Sequence, residues 1–121
     1  MKNNKILIVA AHPDDEILGC GGTIAKLKSE NEIYVVFMTN GVSARGKNKK
    51  KEITQRKNSC LKLFNYLSLP KPTFFNFPDN QMDKIPLLKI IKKIEHIIRI
   101  IKPVTIFTHY SHCLNIDHKK T

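Results

Sequence analysis

Apolar residues recur along this chain in two alternating rhythms. Lys5 to Ala10 (KILIVA) is a short, almost wholly apolar run that suits a central strand buried on both faces. Ile33 to Thr39 (IYVVFMT) reads as a second buried strand, and Pro72 to Phe77 and Val104 to Thr108 (VTIFT) read as a third and a fourth strand. Between them lie stretches with apolar residues three and four apart, the spacing of a helix with one buried side. Ile17 to Ser29 is the first of these, although Gly19, Gly21 and Gly22 weaken its opening turns and imply close approach of another backbone. Lys51 to Leu67 is the second, with Ile53, Cys60, Leu61, Phe64 and Leu67 inward. The third starts at Pro86 as its first residue and carries the stripe Leu87, Leu88, Ile91, Ile94, Ile98 and Ile101. The order β-α-β-α-β-α-β predicts an α/β fold: three layers around a parallel sheet, with right-handed crossovers.

Composition narrows the class. The 121 residues, 41% of them hydrophobic, fit a single domain spanning 1–121. No apolar run approaches the roughly 18 residues of a membrane span, and the run after the basic start is too short for a signal peptide. A cytoplasmic protein is therefore expected. Cys20, Cys60 and Cys113 are odd in number and form no CxxC pair, which argues against a disulfide framework or a cysteine-rich zinc module. The formal charge of +11 raises nucleic-acid binding as a function. Only Arg45, Arg56 and Arg99 are arginines, however, and the densest basic run, Lys47 to Lys51, carries no aromatic residue, so no nucleic-acid partner is expected.

The strand ends hold the chemistry. In open parallel sheets, ligands bind outside the carboxyl ends of the strands. Those ends here carry His12-Pro13-Asp14-Asp15-Glu16, then Thr39 to Arg45, then Pro78-Asp79-Asn80, then His109 to His118. Four of the five histidines and the tightest carboxylate cluster thus fall on one edge. His12 and Asp15 stand three apart across a proline-stiffened turn, so both side chains can converge on one point. With a third ligand from the fourth loop, His118 or His109, they compose an open catalytic zinc site, and Asp14 is placed to take a proton from water. Iron(II) suits the same two-histidine, one-carboxylate set. Asp14 and Asp15 would also serve as plain helix caps, with Glu16 adding charge at the helix start. The histidine-rich fourth loop at the same edge favours the metal.

The segment Ala11-His12-Pro13-Asp14-Asp15-Glu16, followed by Gly19 and Gly21-Gly22, resembles the signature of the PIG-L/LmbE-like de-N-acetylases. Thr39 to Ser43, Phe77 to Asn80, and Thr108-His109 through Asn115-Ile116-Asp117-His118 are similar to the same family. The resemblance implies a Rossmann-like three-layer α/β/α fold and a zinc-dependent hydrolase. Such an enzyme removes an N-acetyl group from an amino-sugar conjugate of the N-acetylglucosamine type. By position, it implies His12, Asp15 and His118 as metal ligands, Asp14 as general base, Asp117 as the residue orienting a neighbouring group, and Arg45, Arg56 and Asn115 on the substrate. Asn115 stands where many members carry a histidine, and His112 where an acidic residue is common. Family domains are longer, so the chain would be the N-terminal portion of that fold. This leaves room for a homo-oligomer, for a complementing fragment, or for a non-catalytic, partner-dependent piece of such an enzyme. A nucleotide-binding module is disfavoured, because Gly19-Cys20-Gly21-Gly22 departs from the dinucleotide fingerprint and two carboxylates stand where a phosphate would approach.

Overall fold

A computed structural model describes residues 3–13, 15–39, 50–78, 81–113 and 115–121. Its elements run β1 (Lys5–Ala10), α1 (Asp15–Leu27), β2 (Glu32–Thr39), α2 (Lys50–Tyr66), β3 (Thr73–Phe77), a single 3-10 turn (Met82–Lys84), α3 (Leu87–Ile101), β4 (Thr105–Phe107) and α4 (Ile116–Lys120). All strand pairings are parallel, in the spatial order β3-β2-β1-β4.

The two central runs become buried strands because both faces of β1 and β2 are covered, whereas the edge strand β4 leaves Ile106 exposed. On one face, Ile6, Ile8, Ala10, Ile33, Val35 and Phe37 pack with Ile24 of α1 and with Cys60 and Phe64 of α2. The intervening residues Leu7, Val9, Val36 and Met38 point to the other face, against Met82 and Ile90. Successive side chains of a strand alternate sides, so a strand between two layers must be apolar at every position.

The chain steps outward from β1 to β2 to β3, then returns to place β4 on the other side of β1. The turns after β1 and β4 therefore flank the point where strand order reverses, which is where open α/β sheets form a crevice.

Helix α3 keeps Ile94, Ile98 and Ile101 of its predicted inner face but not Leu87, Leu88 and Ile91. Its buried residue is Ile90, with Ile94, Ile97, Ile98 and Ile101 partly buried beside it. Leu87, Leu88 and Ile91 are exposed. At roughly 100° per residue, Leu88 lies nearly opposite Ile90 and Ile91 well to one side. Adjacent apolar pairs (Leu87-Leu88, Ile90-Ile91, Ile97-Ile98, Ile100-Ile101) left open which member of each pair faces the sheet. Pro86 is the residue before the helix rather than its first, with extended backbone (φ −54°, ψ 129°). Lys102 closes α3 in the left-handed region (φ 53°), and its amide donates to the Ile98 carbonyl.

The glycines of α1 also differ from expectation. Among the described residues, a Cβ at Gly19 or Gly22 would meet no packed neighbour within 4 Å. Gly19 instead borders a cavity of about 210 Å³ shared with Asp15, Cys20, Phe107 and His109. No helix among the described residues is long and apolar enough to cross a membrane. The three cysteines are free.

Candidate metal centre

Three strand ends are tied together before any side chain reaches the site. The Ala11 carbonyl, just past β1, accepts from both the amide (2.8 Å) and the hydroxyl (3.0 Å) of Thr39 at the end of β2. From the β4 side, Thr108 Oγ1 donates to the Val9 carbonyl at 3.0 Å. The Ala11 amide donates to His109 Nε2 at 2.9 Å. The turn that follows closes on itself. The Asp15 amide donates to the His12 carbonyl (3.2 Å), and Asp15 Oδ2 accepts from the His12 amide (2.9 Å). From α2, Arg56 Nε and Nη2 both donate to the Pro13 carbonyl, at 3.1 and 2.8 Å.

On this frame three donor atoms converge. His12 Nδ1 and His118 Nε2 each lie 3.2 Å from Asp15 Oδ2, and 3.3 Å from each other. Tetrahedral zinc with bonds of about 2.0–2.1 Å holds its ligand atoms roughly 3.3–3.4 Å apart, so the three separations match one face of its coordination shell. The far nitrogen of His12, Nε2, lies 2.8 Å from Asp117 Oδ2. A proton on Nε2 shared with that carboxylate leaves the Nδ1 lone pair facing the Asp15 oxygen. Two lone pairs at this distance repel unless a cation or a proton lies between them. Asp117 is fully buried, and its Oδ1 accepts from the Met82 amide at 3.1 Å. The donor set and its backing carboxylate thus fit a divalent metal.

Burial works to raise the Asp15 carboxyl. In the metal-free protein the hydrogen bond from the His12 ring, which needs a proton on Nδ1 that a metal would displace, the bond from the His12 amide and the charges of His118 and His12 outweigh it, and hold the group below the usual carboxylate value. Burial, then the charge of His118, pushes His109 below the ordinary imidazole value, with Asp15 opposing. His109 also stacks on His118, with centroids 3.9 Å apart and planes 14° from parallel.

The structure distributes the predicted residues as follows. His12, Asp15 and His118 meet, and Asp117 stands directly behind His12. Of the two histidines open for the third place, both bring Nε2 near Asp15 Oδ2, at 3.5 Å for His109 and 3.2 Å for His118, but the His109 Nε2 lone pair already accepts from the Ala11 amide. Asn115 heads α4, and its Oδ1 accepts from the amides of Asp117 and His118 at 2.9 and 3.2 Å. Arg56 grips the turn by the Pro13 carbonyl. Asp14 and Arg45 lie outside the described residues. His96 and His112 are exposed. Sequence reasoning missed two contacts, Arg56 on the Pro13 carbonyl and Cys113 on His118. Neither leaves a spacing signal, because each depends on how separate segments pack.

The fold and site define an α/β protein with two histidines and one carboxylate gathered at its strand-order reversal, a donor set that could hold a divalent metal. The chain belongs to the family whose model is described as PIG-L: GlcNAc-PI de-N-acetylase, which matches residues 7–121. It is similar to N,N'-diacetylchitobiose deacetylase from Pyrococcus horikoshii, with 25% identity and a TM-score of 0.82 over 98% of this chain and 46% of that one. It is also similar to a conserved protein from Thermus thermophilus, with 27% identity and a TM-score of 0.77 over 97% of this chain and 51% of that one. A 4-carboxy-2-hydroxymuconate hydratase from Pseudomonas putida shares the fold, with 23% identity and a TM-score of 0.76 over 98% of this chain and 51% of that one. The chain thus spans about half the length of these relatives. The same fold carries different reactions, so the reaction has to be argued from the site.

Proposed function

We propose that this protein is a zinc-dependent hydrolase that removes an N-acetyl group from an amino-sugar conjugate. The observation that carries the reading is the mutual spacing of His12 Nδ1, Asp15 Oδ2 and His118 Nε2, at 3.2, 3.2 and 3.3 Å. Family membership and the likeness to a chitobiose deacetylase support the amide of an N-acetylated sugar as the bond attacked.

His12, Asp15 and His118 would hold the metal. Zinc in such a site supplies Lewis acidity and brings the pKa of its water toward about 7. Iron(II) would fit the same donors. Asp117 holds the Nε2 proton of His12 and so keeps Nδ1 unprotonated toward the other donors. Asp15 stays anionic across the neutral range, because its carboxyl is held below its usual value. Asp14, by its place in the AHPDDE segment, takes the proton of the attacking water and returns it to the leaving amine. Arg56 holds the turn that carries His12 and Asp15, which keeps the donors in register. Arg45 and Asn115 are assigned to the substrate side, Asn115 through whatever its amide retains beyond its capping role.

The test is zinc stoichiometry by native mass spectrometry together with amine release from N-acetylglucosaminides, with Asp14→Asn as the control. One equivalent of zinc and amine release that Asp14→Asn loses are expected. A protein with an intact circular-dichroism spectrum that takes up no zinc and releases no amine sinks the reading.

A further inference from the structure

His118 is held differently from His12. Each ring gives one nitrogen to the convergent donor set, and each has a second nitrogen that must carry a proton if the first is to bind a metal. Metal-binding histidines almost always pass that proton to a carboxylate, a backbone carbonyl or water, which fixes the tautomer and the ring orientation. For His12 the acceptor is the buried Asp117. For His118 the atom beside Nδ1 is the sulfur of Cys113, 3.5 Å away. The His109 ring lies flat against the same imidazole at 3.9 Å, so His118 is restrained on its face and at its far nitrogen together. The ring stands between the thiol and the other donors, which places Cys113 behind the ligand rather than among the ligands.

We infer that Cys113 is a positioning residue for His118. Its sulfur accepts the Nδ1 proton, so that the Nε2 lone pair faces Asp15 Oδ2 and His12 Nδ1. Sulfur is a weak acceptor. The two histidines therefore have unequal support, one from a buried carboxylate and one from a half-buried thiol. Chemical blocking of that thiol would then weaken the site from the His118 side alone. A mere packing contact in the turn before α4 would set neither the tautomer of His118 nor its metal affinity. The inference rests on the metal reading above.

The test compares zinc affinity, by competition with a chromophoric chelator, in the wild-type protein, Cys113→Val and Cys113→Ser. Loss of an acceptor behind a ligand typically costs about 10- to 100-fold in affinity. Cys113→Val is expected to show that loss, and Cys113→Ser, whose hydroxyl can accept the same proton, to recover most of it. Wild-type affinity in Cys113→Val overturns the inference while leaving the metal reading intact. If the wild-type protein takes up no zinc, both fall. If Cys113→Val does not fold, Cys113→Ala takes its place in the same competition. A loss of zinc affinity of about 10- to 100-fold upholds the inference, and wild-type affinity overturns it.

Discussion

Asp117 reaches back 105 residues along the chain to hold His12, its Oδ2 lying 2.8 Å from the imidazole Nε2. The carboxylate that does so is fully buried and takes its second hydrogen bond from the Met82 amide. One side chain thus joins β1, the 3-10 turn and α4 at the back of the donor set. Asp117→Asn keeps the shape but removes the charge that favours a proton on Nε2. Zinc affinity in that variant should fall about 10- to 100-fold by chelator competition. Asp117→Ala should in addition destabilise the metal-free protein by about 1–3 kcal/mol, because it leaves a buried amide unpaired. Unchanged zinc affinity in Asp117→Asn would remove Asp117 from the site.

Asp15 has a carboxyl pKa below its ordinary value in the fold. A depressed carboxyl stabilises the native state above its unfolded pKa, about 3.9, and that contribution disappears as pH falls through the lower folded value. The stability difference between the metal-free wild-type protein and Asp15→Asn should shrink as pH falls from about 5 to below about 4. Urea unfolding across that range measures it. A difference that grows on acidification would mean the carboxyl is raised rather than lowered.

Cys60 is buried on the inner face of α2, and burial, with the Glu16 carboxylate adding to it and Arg56 opposing, pushes its thiol up to about 12. The thiolate is the reactive form. An unperturbed thiol titrates near 8.5, so at that pH the native Cys60 should alkylate roughly a thousandfold more slowly than in the unfolded chain. The sign for stability follows: the neutral thiol favours the fold below about pH 8.5, and that advantage is lost as pH rises toward 12. Peptide mapping after iodoacetamide treatment reads the first effect. Native labelling of Cys60 at the unfolded rate would contradict its burial.

Arg56 spends two N–H groups on the Pro13 carbonyl. Lysine cannot reproduce that fork. If Arg56 holds the turn, Arg56→Lys should lower both stability, by about 1–3 kcal/mol, and zinc affinity, with kcat and KM following the metal occupancy. If its function is on the substrate instead, KM should rise while zinc affinity stays at the wild-type value. Measuring zinc affinity and kinetics on the same preparation separates the two.

Much of the fold was legible before any coordinates. The runs KILIVA and IYVVFMT could only be strands covered on both sides, and their alternation with helical spacing implied a parallel sheet. That sheet in turn put the HPDDE turn and the histidines after β4 on one edge. The exact rotation of α3 was not legible, because its apolar residues come in adjacent pairs such as Ile90-Ile91 and Ile97-Ile98, and which member turns inward is decided only when a sheet is laid against the helix.

Local pattern and element order therefore determined the layers, the edge that carries the chemistry, and the pairing of His12 with Asp15. Tertiary structure alone decided between His109 and His118. Both follow β4 and both bring Nε2 near Asp15, and the difference is that the His109 Nε2 already accepts from the Ala11 amide while the His118 Nε2 faces Asp15 and His12. It also decided the parts played by Asp117, Arg56 and Cys113. Each acts through a hydrogen bond set by the folding of a loop or the docking of a helix. Such bonds depend on ångström-scale placement, which residue spacing does not encode.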